Sequence, residues 1–359
     1  MYTAINRLAE SQVPLKKIGQ GFCGTVWGEN DHDHEHLHLA LKREDGCPWR
    51  SIVHEHRIHE QILKAIQNTI SDGDFGKFRV NFPFCEGLLT RDSPHWSQIL
   101  PRLPPAFEPC NALVNERIPS MPHRVRILLY RTFHPEVMGH PEVMGLPAAA
   151  TVINNHCLVR PYLGRRLFGP RMIPRARPSR LVVFGIQNFL LHLDQIDQLG
   201  LPAKDYAVAM ADTLAFLYWT ARVDANDVEF VLAPTRRSSS EAAAISPGIG
   251  SVMFQSEALG THAMWVLDFD CCRDMAMDEA GVKQAATAFL RNDPFFPRPP
   301  SSRDTTASEE QLWDTFQSRF LETSHSILKE EGKSVQQLPV LLIEEIVRTC
   351  RERQGPGAV

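Results

Sequence analysis

The sequence predicts an α+β fold with two lobes around a common cleft. A β-rich N-terminal lobe over residues 1–160 carries a glycine loop and a long insertion, and a mainly helical C-terminal lobe covers residues 161–359. Three observations support this prediction. Residues 15–42 are β-prone and punctuated by glycine, later stretches repeat apolar residues at helical spacing, and 359 residues exceed the usual size of one domain.

Composition excludes several classes of protein. Hydrophobic residues make up 43% and charged residues 22% of the chain, close to globular averages. No run of about 18 apolar residues occurs, and the first residues lack the apolar core of a signal peptide, so a cytoplasmic protein without a membrane partner is expected. The net charge of −4 argues against a uniformly basic DNA-binding protein, and the eight cysteines contain no CxxC pair, which argues against a zinc finger.

The first motif lies in the predicted hairpin at residues 15–42. Gly19, Gly21 and Gly24 form a Gly-x-Gly-x-x-Gly loop, and Lys42 closes the second strand. Glycines at this spacing let backbone amides approach an anionic group, and a lysine on the neighbouring strand supplies a positive charge for it.

The helix that follows places a carboxylate among apolar residues. Ile52, Glu55, Ile58, Ile62 and Ile66 fall on one helical face, so Glu55 points inward. A buried carboxylate needs a partner, and Lys42 is the candidate. This combination of glycine loop, strand lysine and helix glutamate resembles the small lobe of the protein-kinase and aminoglycoside-phosphotransferase superfamily. The resemblance implies a two-lobed kinase-like fold.

An acidic loop follows the most regular apolar helix of the chain and precedes a β-prone run. It carries Asp224, Asp227 and Glu229, and a second predicted strand ends in Asp268 and Asp270. Loops on a rigid scaffold commonly hold catalytic side chains. We therefore predict catalytic roles for Asp224, Asp227, Glu229 and Asp268. The alternative is a turn whose carboxylates only cap backbone groups.

These positions also resemble a kinase catalytic loop. Asp224 and Glu229 have the spacing of the catalytic Asp and the metal-binding Asn, and Asp268 stands where the metal-binding Asp stands. However, Arg222 replaces the usual His, Glu229 replaces Asn, and Asp270 replaces Gly. These departures argue against ATP chemistry, so neither a cofactor nor a metal is predicted. The alternating histidines at residues 32–38 are expected to form a solvated connection rather than a metal site.

A finer resemblance involves three blocks, DANDVEFVLAP, FQSEALGTHAMWVLDFDCCR and GVKQAATAFLRNDPFFPRP. From about residue 15 to 325 the chain looks like a fungal family of unknown function, sometimes misnamed zinc-finger protein, that includes the arginine-containing cyclodipeptide synthases. The resemblance implies an aminoacyltransferase of secondary metabolism that joins arginine from arginyl-tRNA to a second tRNA-delivered amino acid, forming a diketopiperazine. Both esters are already activated, so positioning and proton transfer suffice.

Substrate-binding roles are predicted for two groups of residues. The first is Lys42, Glu55 and Asp270. The second is a basic run that can neutralise tRNA phosphates, although a solvated loop is an equal alternative. Its members are Arg165, Arg166, Arg171, Arg175 and Arg177.

Two other functions stay open. Lys42, Glu55, Asp224 and Asp268 favour a small-molecule phosphotransferase, whereas the three departures from the kinase pattern favour an inactive kinase-like binding module.

The sequence also predicts three structural features. Residues 157–164 are expected to form a buried strand leading into a linker at the hinge between the lobes, and residues 188–201 are expected to be helical. The tandem HPEVMG repeat at residues 134–145 is expected to be a surface loop.

Overall fold

The computed structural model shows a mixed α+β fold built on two five-stranded sheets. It describes residues 3–29, 38–71, 79–134, 153, 155–167, 185–236, 252–300 and 305–353. The predicted α+β class is confirmed. Residues 135–145 of the tandem repeat, the histidines at 32, 34 and 36, and Arg171, Arg175 and Arg177 lie outside the described residues.

The first sheet is antiparallel and has the order β1-β2-β3-β5-β4. Its strands are β1 Leu15–Gln20, β2 Thr25–Glu29, β3 Leu39–Arg43, β4 Cys85–Leu89 and β5 Ala112–Glu116. The predicted two-stranded hairpin is therefore a three-stranded meander. The glycine loop reverses the chain, so the predicted first strand consists of β1 and β2. Gly24, at φ 150°, permits this reversal, since a Cβ there would lie 2.2 Å from the carbonyl oxygen of Arg43.

The second sheet has the order β7-β6-β8-β10-β9, with β6 and β7 parallel and the other pairs antiparallel. Its strands are β6 Val159–Tyr162, β7 Phe189–His192, β8 Glu229–Ala233, β9 Phe254–Ser256 and β10 Gly260–Leu267. The helix predicted over residues 188–201 is partly wrong. The first part of this segment is the strand β7. A short apolar run fits both the helical and the strand spacing of apolar residues, and here it pairs with β6.

Helices cover both sheets. They are α1 Ala4–Glu10, α2 Ile52–Ser71, α3 Trp96–Ile99, α4 His123–Phe133, α5 Leu193–Gln198, α6 Ala203–Ala215, α7 Glu279–Arg291, α8 Ala307–Ile327, α9 Lys333–Gln336 and α10 Leu338–Arg353. An apolar stripe runs along α6 and the π-helical turn after it, and it is buried in the largest apolar cluster of the described residues. It consists of Tyr206, Met210, Leu214 and Leu217. Of the helices in the described ranges, none is long and apolar enough to cross a membrane.

The chain passes from the first sheet to the second through residues 117–122 and α4. The buried strand predicted over residues 157–164 is confirmed as β6, which belongs to the second sheet. Its position at a hinge between two lobes stays a prediction. The predicted boundary at residue 160 falls inside this strand. The division into two domains stays a prediction.

Candidate active site

A cavity of about 160 Å³ lies where the glycine loop and β3 meet the second sheet. Two sets of lining residues matter here, which we call the charged half and the apolar half. The charged half consists of Lys42, Glu55, Arg160, Glu229 and Asp268. The apolar half consists of Ile18, Val26, Ala40, Leu158 and Leu267.

Lys42 bridges two carboxylates in the charged half. Its Nζ lies 2.8 Å from Glu55 Oε1 and 2.8 Å from Asp268 Oδ1. The predicted pairing of Lys42 with Glu55 is confirmed, and Asp268 joins them because β10 ends directly before it. Burial alone would lower the pKa of Lys42, but Asp268 and Glu55 raise it well above its ordinary value. The lysine is therefore firmly protonated.

The carboxylates of this half are harder to ionise. Burial raises the pKa of Glu55 to about 7, with Lys42 opposing the rise and Asp268 adding to it. Burial also raises the pKa of Glu229 to about 8, with Asp268 adding and Arg160 opposing. Glu229, the first residue of β8, pairs with the Arg160 guanidinium from β6. Three carboxylates thus share two cations in a desolvated space.

Asp224 lies outside the lining of the cavity. Only 3% of the residue is exposed. Its carboxylate accepts hydrogen bonds from the backbone N–H groups of Asn226 and Arg273 and from the Gln284 amide, at 3.1, 2.9 and 2.8 Å. The capping alternative describes these contacts, and a catalytic role for Asp224 stays a prediction.

Asp227 and Asp270 also lie outside the cavity lining, where they hold an arginine that the sequence analysis did not select. Arg50 Nη2 is 3.2 Å from Asp227 Oδ2, and Arg50 Nη1 is 2.8 Å from Asp270 Oδ1 and contacts Cys271 Sγ. The guanidinium lies 5.7 Å from the centre of the exposed Phe22 ring in the glycine loop. Burial is the main cause that raises the pKa of Asp270.

Asp227, Asp270 and Cys271 are close enough together to hold a metal ion, and no other such group occurs within the described ranges. However, Arg50 already supplies a positive charge to this group. Burial also raises the pKa of the Cys271 thiol to about 12, which disfavours the thiolate that a metal requires. The arrangement fits a guanidinium better than a metal ion.

The acidic loop has an unusual backbone. Ala225 and Asp227 have φ values of 52° and 65°, and Asp268 has 68°, in the left-handed region that residues other than glycine seldom adopt. Asn292 holds the loop: its Nδ2 donates to the Ala225 carbonyl at 2.9 Å, and its Oδ1 accepts from Asp227 N at 2.6 Å. Such strain is found where neighbouring structure fixes functional groups.

The described part of the basic run contains two arginines with different surroundings. Arg165 is exposed, with its guanidinium 5.6 Å from the centre of the Tyr162 ring. Arg166 Nη2 instead lies 3.0 Å from Asp197 Oδ2, and its Nε lies 3.7 Å from Glu309. Only Arg165 therefore presents a guanidinium to solvent in the way that phosphate binding requires, and the tRNA-binding role of the run stays a prediction.

Comparison with known proteins gives one match. A family model described as "Zinc finger protein" matches residues 264–332, which include the second half of β10, the Asp268 and Asp270 segment, α7 and α8. No curated protein and no solved structure matches the chain. The matched stretch contains only Cys271, Cys272 and His325 as cysteines or histidines, too few for a four-ligand zinc site.

Proposed function

We propose that this chain has a two-lobed kinase-like fold and acts as a tRNA-dependent cyclodipeptide synthase, joining arginine from arginyl-tRNA to a second tRNA-delivered amino acid. The excess of carboxylates in the charged half carries this proposal. Lys42 contacts Glu55 and Asp268, and Arg160 contacts Glu229, so three carboxylates have two cations. Glu116 and Arg117 also line the cavity and add one charge of each sign. The pKa values of Glu55 and Glu229 are raised.

This charge balance favours a cationic ligand. A cation near carboxylates with raised pKa values stabilises their ionised forms, so part of the binding free energy comes from relieving their repulsion. A guanidinium adds paired hydrogen bonds to a carboxylate. Arginine carries both a guanidinium and an α-ammonium group, and it therefore matches the charged half better than a polyphosphate does.

Glu229 is suited to move the proton in such a reaction. A pKa of about 8 lies near neutral pH, where a general base works best. The α-amine of one aminoacyl group attacks the ester carbonyl carbon of the other, and Glu229 accepts the ammonium proton. The new C–N bond forms while the C–O bond to the tRNA breaks, and the departing 3′-oxygen takes the proton from Glu229. A second aminolysis closes the ring.

A small-molecule phosphotransferase is the second candidate. The bridge from Lys42 to Glu55 and Asp268 beside a glycine loop favours it. The position of Asp224 argues against it, because the carboxylate that would accept a hydroxyl proton binds backbone donors away from the cavity.

One experiment separates these functions. Purified protein is incubated with arginyl-tRNA and a mixture of other aminoacyl-tRNAs without ATP, and the products are analysed by mass spectrometry. A cyclic dipeptide that contains arginine should form, and RNase should abolish it. Phosphorylation of a small molecule that requires ATP and resists RNase would identify a phosphotransferase, and a complete lack of turnover would identify a binding module.

A further inference from the structure

Four basic side chains lie around the acidic loop, outside the lining of the cavity. Arg222 and Arg273 belong to loop segments, and Lys283 and Arg291 belong to α7. All four are exposed, and none of their side chains makes a hydrogen bond or an ion pair within the part of the chain that the structure describes. We call this set the basic ridge. The chemistry proposed above does not use it.

Backbone contacts hold the two loop arginines of the ridge next to each other. The N–H of Arg273 donates to Asp224 Oδ1 at 2.9 Å, and the carbonyl of Arg273 accepts from Asp224 N at 3.0 Å. Arg222 is tied to the same segment, because its carbonyl accepts a hydrogen bond from Met275 N at 2.8 Å. Both arginines therefore stand at neighbouring positions of the surface.

The helix α7 continues the ridge along the acidic loop. Gln284, which follows Lys283, donates to Asp224 Oδ2 at 2.8 Å, and Asn292, which follows Arg291, holds the loop from the other end of the helix. Residues 283, 287 and 291 are all exposed and repeat every four positions, as expected for one helical face. From residue 283 to residue 291 the helix rises by about 12 Å.

The acidic residues of the same segments do not compensate these charges. Three of them hold arginines from other parts of the chain, one is buried, and one caps α7. In this order they are Asp227, Glu229 and Asp274, then Asp224, then Asp278. Glu279, in the first turn of α7, has no partner among the described residues. The exposed surface of the ridge therefore carries a local excess of positive charge, although the whole chain has a net charge of −4.

Exposed cations without partners suit a polyanion. Each cation that contacts a phosphate releases counterions, and phosphates repeat about every 3.4 Å along each strand of a duplex. The length of α7 between Lys283 and Arg291 is therefore sufficient to contact more than one phosphate. The position of the ridge favours RNA over an acidic peptide or a membrane, because the ridge adjoins the loop that leads to Glu229, where the proposed function requires the aminoacylated end of the tRNA.

We propose, on the basis of the proposed function, that the basic ridge binds the sugar-phosphate backbone of the tRNA acceptor stem. The acceptor stem adjoins the aminoacylated 3′ end, so phosphates held by the ridge would keep the ester beside Glu229. Phosphate contacts carry no sequence information. The ridge therefore serves the arginyl-tRNA and the second aminoacyl-tRNA in the same way.

The salt dependence of RNA binding gives the test. The probes are an uncharged arginine tRNA and a minihelix that contains only its acceptor stem and 3′ end. Arg273→Gln/Arg291→Gln removes two contacts and should reduce the slope of log affinity against log salt by roughly 1.4 to 1.8 units for both probes. Equal slopes for this double variant and the unmodified protein would overturn the inference.

Two further double variants are the controls. Arg273→Lys/Arg291→Lys keeps both charges and should retain the slope. Lys16→Gln/Lys204→Gln removes two charges from exposed positions of β1 and α6 and should also leave the slope unchanged. An equal loss in this second control would show that only the net charge matters. A loss for the tRNA without a loss for the minihelix would overturn the assignment to the acceptor stem.

Failure of this inference can be distinguished from failure of the proposed function. If cyclic dipeptide forms while Arg273→Gln/Arg291→Gln leaves both the slope and the KM for charged tRNA unchanged, the ridge assignment is wrong and the function stands. If the double variant loses slope for both probes but the unmodified protein forms no cyclic dipeptide, the ridge binds RNA and the proposed function is wrong. If the double variant loses binding to vesicles of anionic lipid but not to either RNA, the ridge assignment is wrong.

Discussion

At the residue scale, the protonation of Glu229 links stability to pH. Its pKa in the folded chain is about 8, above the usual 4.5. A carboxyl with a raised pKa contributes stability that is fully present below about pH 4.5 and is lost as pH rises through about 8, because the folded chain then has to accommodate the buried charge.

Glu229→Gln should therefore remove the loss of stability that Glu229 causes at high pH. We expect the difference in Tm between the variant and the unmodified protein to increase from pH 5 to pH 9 in favour of the variant. Turnover should fall by roughly a hundredfold or more if Glu229 moves the proton. Glu322→Gln is the control, since that glutamate is exposed and pairs with Arg319 at the surface. Parallel Tm curves for Glu229→Gln and the unmodified protein would contradict the raised pKa.

Local patterns predicted some contacts of the site and not others. Lys42 and Glu55 could be paired because one strand position and one helical face identify both side chains. The pair of Arg160 and Glu229 spans 69 residues, and that of Arg50 and Asp227 spans 177. Such pairs depend on strand order and loop position, which no local pattern contains.

At the element scale, the segment after β6 gives a direct test of RNA contact. Arg165 is exposed, whereas Arg166 is held by Asp197 and Glu309. Arg165→Gln should reduce the slope of log affinity for tRNA against log salt by roughly 0.7 to 0.9 units, the contribution of one phosphate contact. Arg166→Gln is the matched control and should change the slope less. Equal slopes for Arg165→Gln and the unmodified protein would place the tRNA path elsewhere.

The elements also show where periodicity is informative. The long stripes of α2 and α6 repeat over several turns, and both helices formed as predicted. The strand Phe189–His192 is only four residues long, too short to distinguish a strand from a helix by pattern. Its identity is decided by pairing with β6, a property of the sheet rather than of the segment.

At the scale of the whole molecule, contacts cross from β3, α2 and the segment between them to the segment after β10. Lys42 contacts Asp268, Arg50 contacts Asp270, and Arg57 contacts Asp274. The Asp270 side chain is 3% exposed, whereas Arg57 and Asp274 are about half exposed or more. The contact of Arg50 should therefore hold the cleft closed more strongly than that of Arg57.

Arg50→Gln leaves a buried carboxylate without its cation. We expect it to destabilise the fold by about 3 kcal/mol and to accelerate hydrogen exchange in the glycine loop and in residues 268–272. Arg57→Gln removes an exposed pair and should change stability by about 0 to 1 kcal/mol, with no local effect on the glycine loop. Similar exchange in both variants would show that Arg50 does not hold the cleft.

Arg50 lies between Asp227 and Asp270, and Arg160 lies against Glu229. These contacts have a consequence for substrate selectivity. Under the proposed function, a substrate guanidinium that approaches these carboxylates competes with one that is tethered to the protein. The effective concentration of the tethered group is set by the fold rather than by the solution. Free arginine makes few contacts beyond those of the guanidinium group that it must displace. Under the proposed function, arginine attached to tRNA can make further contacts through the tRNA, so the resident guanidinium groups would discriminate against free arginine and in favour of its tRNA-bound form.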